Sequence, residues 1–255
     1  MIDLRAAVPR NSKAGDHIRT EFNHSWMSLF RSKTYNDPSL NAGCTEFEVN
    51  NWTISEFVME RIVPVVGIRP FPLNELMLMV SAVCRFKPAK IFEWGTHFGK
   101  SARVFRETIN TFGIPCMIHS VDLPEDVQHG EHPHADRGKL VRGMKEVLLH
   151  QGDGLTCALE ILANDGQNGR ILFFVDGDHS HASVTREFRA ILEHVPDAIV
   201  LLHDTFLQSG TSGYNIGPHE AINEVLADRN GKYRVITTNT GLPGMTLVFP
   251  TPIGN

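Results

Sequence analysis

The stretch from Lys90 to Phe105, "KIFEWGTHFGKSARVF", decides the fold prediction. It reads as a short apolar strand, a loop that contains Gly95 and Gly99, and an amphipathic helix. Glycine lets the backbone turn sharply where it leaves the strand, and the helix that follows offers free N–H groups and its positive dipole end to a ligand. A dinucleotide-binding loop would show GxGxxG, whereas here Glu93 precedes Gly95 by two residues. An acid in that place favours a ligand with an amino group and a positive centre over a pyrophosphate.

Six more apolar runs follow this stretch, and each is too short for a helix. They are "MIHSVDL", "VLLHQGD", "ILFFVDGD", "AIVLLHDTF", "RVITTN" and "MTLVFP". Helical patterns separate the first five strands, which predicts a parallel sheet covered on both faces. A Gly/Pro turn joins the last two, so they should pair antiparallel. The expected fold is α/β: a Rossmann-like doubly wound sheet of about seven strands, mostly parallel, with a C-terminal antiparallel hairpin.

The residues before this sheet read as helical. Residues 1–70 are expected to form a helical N-terminal extension or cap, and residues 71–255 the main domain. The segments 17–30 and 53–66 both have helical patterns, and a capping-box pattern from Thr53 to Glu56 opens the second. We expect these helices to be the surface for a partner or for a homo-oligomer.

Composition excludes several classes of partner. The chain has 255 residues, a formal net charge of -5 and scattered basic residues, so neither nucleic acid nor an acidic membrane is an expected partner. The four cysteines are far apart and form no CxxC pair, which suits a reducing compartment. No apolar run approaches the roughly 20 residues of a membrane helix. A cytoplasmic localisation is therefore expected.

Acidic residues stand at the ends of the first four predicted strands: Glu93, Asp122, Asp153 and Asp176. Ligands of open α/β sheets bind at the carboxyl ends of strands. In this order the four acids and the glycine loop resemble the motifs of class I S-adenosylmethionine (SAM)-dependent methyltransferases. The segments "FEWGTHFGKS", "VDGDHSHASVTREF" and "IVLLHDTF" resemble a narrower set over residues 70–250. This set is the bacterial small-molecule O-methyltransferases related to macrolide-sugar O-methyltransferases and to cephalosporin hydroxylase-like proteins.

The resemblance implies SAM as cofactor and O-methylation of a small-molecule acceptor, a sugar or natural-product hydroxyl. In such enzymes Asp122 would meet the ribose hydroxyls and Asp153 the adenine. The full set implied for SAM is Glu93, Gly95, Thr96, Gly99, Ser101, Asp122, Asp153 and Asp176.

The resemblance also implies a divalent cation such as Mg²⁺ beside the SAM methyl group. The matching ligands are Asp176 after the fourth strand and Asp204 after the fifth, with His203 as their neighbour. The chain departs from the family here, because firm metal sites have two acids or an acid and an amide after the fifth strand. Histidine is more typical of Zn²⁺, Mn²⁺ or Fe²⁺. The alternative is a metal-free pocket in which His203 and Asp204 only cap the strand end.

A base is needed if the acceptor is an alcohol. His179 is the favoured base because its pKa suits proton removal near neutral pH. Asp178 is the alternative base, or the group that orients the imidazole. His181 is expected to be a solvated or capping residue at a helix start.

Two loops complete the expected site. The segment with His129, His132 and His134 is interpreted as a lid or surface loop rather than a transition-metal site. The loop 208–221 is interpreted as an acceptor-binding lid, with Tyr214 and His219 as contacts.

Two other functions remain open on the same scaffold. One is a hydroxylase-like enzyme with iron held by Asp176, His203 and Asp204. The lack of an H-x-D ligand pair on a β-barrel scaffold counts against this function. The other is a non-catalytic module that binds SAM or a partner.

Overall fold

One seven-stranded sheet organises the computed structural model, which describes residues 33–39, 47–124, 126–127 and 134–251. The strands are β1 Lys90–Trp94, β2 Met117–Asp122, β3 Val147–Gln151, β4 Ile171–Val175, β5 Ile199–His203, β6 Tyr233–Thr237 and β7 Met245–Pro250. The helices are α1 Asn51–Phe57, α2 Val63–Val66, α3 Leu73–Phe86, α4 Lys100–Thr111, α5 Gly154–Asp165, α6 His181–His194 and α7 Gly217–Ala227. A π-helical turn, Val58–Ile62, joins α1 to α2, and a 3₁₀ turn spans His134–Asp136.

The strand order is β3-β2-β1-β4-β5-β7-β6. Strands β1 to β5 pair in parallel, and β7 pairs antiparallel with both β5 and β6. Every residue of β4 and β5 is buried, as expected for central strands that helices cover on both faces. The predicted fold class is confirmed, including the C-terminal hairpin.

The sheet changes direction between β1 and β4. The chain moves outward from β1 through β2 to β3, and then returns to place β4 on the other side of β1. In open α/β sheets the ligand lies at this switch point, beyond the carboxyl ends of the strands. Glu93 pairs with Phe174 across it, so the loops after β1 and β4 leave the sheet side by side.

Alternate strand residues enter two separate cores. Ile91 and Phe174 belong to the core that contains residues of α1, α3 and α4. Phe92 and Phe173 belong to the core on the opposite face, formed with α5, α6 and α7. This period-two alternation fixes which strand residues face which layer of helices.

The described part of the predicted extension lies in the first of these cores. Ile54, Phe57 and Ile62 are fully buried there. The predicted start of this helix at Thr53 is wrong by two residues: α1 begins at Asn51, and the Asn50 side chain caps it by accepting the Thr53 N–H at 3.2 Å. Asparagine accepts this bond as well as threonine would. The boundary at residue 70 stays a prediction, and the predicted helix 17–30 lies outside the described residues.

Among the described residues, no helix combines the length and the apolar character needed to span a membrane.

Candidate active site

The loop after β1 brings two strand ends into contact. Gly95 has a φ of +95°, and a Cβ at this position would lie 2.2 Å from the backbone oxygen of Asp176. Only glycine allows this close approach of the two backbones, so the glycine predicted to shape this loop is required for a steric reason. Gly99 caps α4 at a φ of +80°, and an added Cβ there would lie 2.9 Å from the Val141 side chain.

Glu93 is buried at the end of β1. Ser120 Oγ donates to Glu93 Oε1 at 2.6 Å, and Thr96 Oγ1 lies 2.6 Å from the same serine. Burial raises the pKa of Glu93 to about 7, and hydrogen bonding offsets this only in part. Glu93 Oε2 has no hydrogen-bond partner in the described part of the chain. A buried carboxylate oxygen of this kind can accept a bond from a ligand.

Asp122 ends β2 and meets the glycine loop. Its Oδ2 accepts the His97 N–H at 3.0 Å, and its Oδ1 accepts the Leu123 N–H at 2.8 Å. The Arg137 guanidinium lies 3.7 Å from Oδ1. Each carboxylate oxygen can accept a further bond, so ribose hydroxyls remain compatible with these contacts.

Asp153 has a structural partner at each oxygen. It caps α5 by accepting from the Thr156 N–H and hydroxyl at 2.9 and 2.7 Å, and Arg186 donates to its other oxygen at 2.8 Å. The predicted contact with adenine stays a prediction, because these bonds explain the residue without a ligand. Ser101 is buried in the first turn of α4.

The ends of β4 and β5 bring three metal-ligand residues together. Asp176, His203 and Asp204 each offer one ligand atom, and these atoms lie within 4.8 Å of one another. Asp176 Oδ1 lies 2.8 Å from His203 Nδ1, and Asp204 Oδ2 lies 3.6 Å from the same nitrogen. Asp204 adopts a left-handed backbone conformation, with a φ of 56°, which aspartate tolerates better than most residues.

These positions fit a divalent cation. Neighbouring ligands around an ion with bonds of about 2.1 Å are about 3 Å apart. His203 Nδ1 lies at comparable distances, 2.8 and 3.6 Å, from the two aspartates. Two carboxylates and one imidazole suit Zn²⁺ or Mn²⁺ better than a site of oxygens alone would.

His203 is a buried histidine between carboxylates. Its Nε2 lies 3.0 Å from Glu75 Oε2, on the side opposite Asp176. Although burial alone would lower it, the carboxylates of Asp176, Glu75 and Asp204 raise the pKa of His203 to about 10. The protonated ring that this pKa favours donates from Nδ1 to Asp176 and from Nε2 to Glu75.

The structure separates the roles of the residues after β4. Asp178 accepts the Ser180 N–H at 2.9 Å and its hydroxyl at 3.1 Å, forming a turn before α6. The carboxylate near His179 belongs instead to Asp204, whose Oδ2 lies 3.4 Å from His179 Nδ1. His181 is the first residue of α6 and lies 3.1 Å from Glu224.

A cavity of about 920 Å³ opens beside this cluster. Its lining consists of Ile68, Arg69, Pro70, Pro72, Leu73, His97, Phe98, Lys100, His203, Asp204, Leu242 and Pro243. Tyr214 donates to Asp204 Oδ1 at 2.9 Å, so the loop after β5 reaches the site. His219, in contrast, lies in α7 and contacts Asn223 at 2.9 Å. His129 and His132 lie outside the described residues.

Sequence reasoning missed Glu75. This glutamate lies in the first turn of α3, where an acid is an ordinary helix-start residue. Its partner His203 is 128 residues away in the chain. The local signal that could have found it is a single acid within a helix whose other buried residues, apart from Ser81, are apolar.

Residues 92–205 match the model of a family described as a methyltransferase domain. The match runs from β1 to the residue that follows Asp204. No curated protein is matched by the sequence of the chain.

Solved structures share the fold over most of the chain. The SAH-bound methyltransferase PaMTH1 of Podospora anserina is 15% identical, with a TM-score of 0.50 over 97% of this chain and 99% of that one. CalS11, a TDP-rhamnose 3'-O-methyltransferase of calicheamicin biosynthesis, is 16% identical, with a TM-score of 0.50 over 99% and 100%. The SAM complex of TomG, an O-methyltransferase of Streptomyces achromogenes involved in tomaymycin synthesis, is 17% identical, with a TM-score of 0.50 over 79% and 89%. At these identities the likeness concerns the fold.

Proposed function

Since the chain contains a class I SAM-dependent methyltransferase domain, we propose that it transfers the SAM methyl group to a hydroxyl of a small-molecule acceptor. The observation that carries this proposal is the cavity of about 920 Å³ lined by His203 and Asp204, with the His179 imidazole beside Asp204. A cavity of this size suits a small molecule. It lies at the carboxyl ends of the strands, where the family places the SAM methyl group.

SAM is held in this proposal by the residues around the glycine loop. Glu93 supplies a buried carboxylate with one unpartnered oxygen among the described residues, which suits the amino group of SAM. Asp122, fixed by the His97 N–H, takes the ribose hydroxyls. Thr96, Gly99, Ser101, Asp153 and Asp176 complete the proposed set around Gly95.

The methyl transfer is a single displacement. The acceptor oxygen attacks the methyl carbon, the C–S bond breaks, and its electron pair stays on the sulfur of S-adenosylhomocysteine (SAH). The acceptor proton passes to His179. With Nδ1 facing Asp204, the neutral ring keeps Nε2 as the proton-accepting atom. Asp178 is the weaker candidate because Ser180 already donates to both of its oxygens.

A divalent cation is proposed at Asp176, His203 and Asp204. When bound, such an ion would lower the pKa of the acceptor hydroxyl and orient it toward the methyl group. His203 would supply Nδ1 to it, and Tyr214 would hold Asp204 through its hydroxyl.

The acceptor is proposed to be a sugar or natural-product hydroxyl. The cavity has apolar residues from two segments, Ile68–Leu73 and Leu242–Pro243, together with the cations Arg69 and Lys100. Apolar walls with a few cations suit an amphipathic acceptor that carries an anionic group. TDP-rhamnose, the substrate in the name of CalS11, is therefore a sensible first probe.

Calorimetry with SAM and SAH tests the cofactor, and SAH formation from TDP-rhamnose and a panel of glycosides and phenols tests the reaction. We expect both ligands to bind, and turnover to fall with EDTA. His179→Ala should lower turnover by roughly 100-fold or more. His181→Ala is the matched control, since this histidine contacts Glu224 instead. Absence of binding by either ligand would contradict the proposal, and binding without turnover on any acceptor would favour the non-catalytic module.

A further inference from the structure

Glu75 is a buried carboxylate outside the family-matched segment. It is 1% exposed, and it lies in the first turn of α3. Its Oε2 lies 3.0 Å from His203 Nε2, and its Oε1 accepts the Gly244 N–H at 2.8 Å. A carboxylate is costly to bury without hydrogen-bond donors, and here each oxygen has one.

The contact between Glu75 and His203 determines which ring nitrogen faces Asp176 and Asp204. Both ring nitrogens of His203 point to carboxylates, Nε2 to Glu75 and Nδ1 to Asp176 and Asp204. A cation at the site would displace the proton from Nδ1 alone, and the Nε2 proton would stay on its bond to Glu75. Phe71 packs edge-on against the ring at 5.0 Å between centroids. The ring is thus fixed by a hydrogen bond at one end and by an aromatic contact at one face.

We infer that Glu75 is a positioning residue, which orients His203 so that Nδ1 serves as a ligand in the Asp176–His203–Asp204 site. A histidine that binds a metal through one nitrogen commonly donates its other N–H to a carboxylate, which fixes the tautomer and strengthens the ligand. The inference rests on the proposed function only in so far as that function includes the cation.

Glu75 also links the site to the wall of the cavity. Gly244, which donates to Oε1, follows directly on Leu242 and Pro243, two residues that line the cavity. The Glu75 carboxylate therefore holds both the His203 imidazole and the turn between β6 and β7. Glutamine at this position presents one oxygen and one NH₂ group to the two N–H donors, so one of the two hydrogen bonds is lost as long as His203 keeps its Nε2 proton.

The experiment measures Mn²⁺ binding, by the EPR signal of free Mn²⁺, for the wild-type chain and for Glu75→Gln. We expect Glu75→Gln to weaken Mn²⁺ binding by about 10- to 100-fold. Glu187→Gln is the matched control, because Glu187 is 4% exposed and accepts from Trp94 Nε1 rather than from the site. It should bind Mn²⁺ like the wild type.

A measurement on the wild type keeps the test independent of the folding of the variant. In the Zn²⁺-loaded protein, long-range ¹H–¹⁵N NMR should show His203 protonated at Nε2, with signals assigned by their loss in His203→Asn. The opposite tautomer, no Mn²⁺ binding by the wild type, or equal affinities of wild type and Glu75→Gln would each overturn the inference, as would an equal loss in Glu187→Gln. SAH calorimetry on the same samples distinguishes these outcomes from failure of the proposed function. If SAH binds, the proposed function stands and only the inference about Glu75 fails; if SAH does not bind, the proposed function fails.

Discussion

At the scale of single residues, the site depends on positions that accept only one type of residue. Gly95 is the strictest of them, since its missing Cβ leaves room for the backbone of Asp176. Replacement by alanine would force the loop after β1 away from the end of β4, where the proposed cofactor and cation sites meet.

We expect Gly95→Ala to cost roughly 3 kcal/mol or more of unfolding free energy, from backbone strain and steric overlap together. It should also abolish SAH binding measured by calorimetry. Gly113→Ala separates the two causes, because Gly113 has a φ of +61° but nothing within 4 Å of an added Cβ. That control should cost only about 1–2 kcal/mol and should leave SAH binding intact. Equal losses in the two variants would show that the close approach to Asp176 is unimportant.

Residue roles were the least predictable part from the sequence. The strand-end acids were found because a parallel sheet collects its strand ends at one edge. Asp178 and Asp153 nevertheless have local partners, Ser180 and Thr156, which the sequence did not single out. Aspartate serves equally well as a cap, a turn residue or a ligand, and only its neighbours distinguish these uses.

At the scale of elements, β2 and β3 carry a pair of histidines unrelated to the proposed chemistry. His119 Nδ1 lies 3.1 Å from His150 Nε2, and the His119 ring stacks on Phe92 at 4.9 Å. Burial, with the charges of His150 and Lys90, lowers the pKa of His119 to about 4. The folded chain therefore keeps this histidine neutral at pH values where the unfolded chain protonates it.

This pair predicts an acid sensitivity. Between the ordinary pKa of 6.5 and about 4, the unfolded state binds a proton that the folded state refuses, so stability falls as pH falls through that window. We expect His119→Phe to remove this part of the dependence. The melting temperature of this variant, relative to that of the wild type, should rise as the pH is lowered from about 7 to about 5. His219→Phe, which replaces a partly buried histidine on α7, should follow the wild type. A constant difference between His119→Phe and wild type at both pH values would refute the assignment.

The strands themselves were predictable, and the helix start at α1 was less so. Apolar runs bounded by turns identify β1 to β7, because a short apolar run of this kind has few alternatives to a strand within a sheet. The cap of α1 was misplaced since Asn50, Thr53 and the acid Glu56 offer competing start signals within about two turns. Glu75 escaped because its role depends on a partner on β5, which no local pattern reveals.

At the scale of the whole molecule, α1 and the sheet share one core. Phe57 is fully buried with residues of β1 and β4, whereas Trp52 on the same helix is 83% exposed. If the helices before residue 70 formed an independent cap, losing Phe57 would leave the unfolding of the sheet unchanged.

We expect Phe57→Ala to lower the stability of the whole domain by about 3–5 kcal/mol in a single unfolding transition. Trp52→Ala should change stability by no more than about 0.5 kcal/mol. Denaturant unfolding followed by tryptophan fluorescence and by circular dichroism measures both variants, with circular dichroism alone for Trp52→Ala. Two separate transitions in Phe57→Ala, with the second at the wild-type midpoint, would favour an independent cap.

The contact of Glu75 with His203 and Gly244 has a consequence for recombination between homologues. A chimera that exchanges residues 92–205 would import His203 from one parent, but positions 75 and 244 would come from the other. Such a hybrid would inherit the histidine without its carboxylate unless both parents have an acid at the equivalent of position 75. Crossover points for shuffling this domain should therefore keep positions 75, 203 and 244 from the same parent.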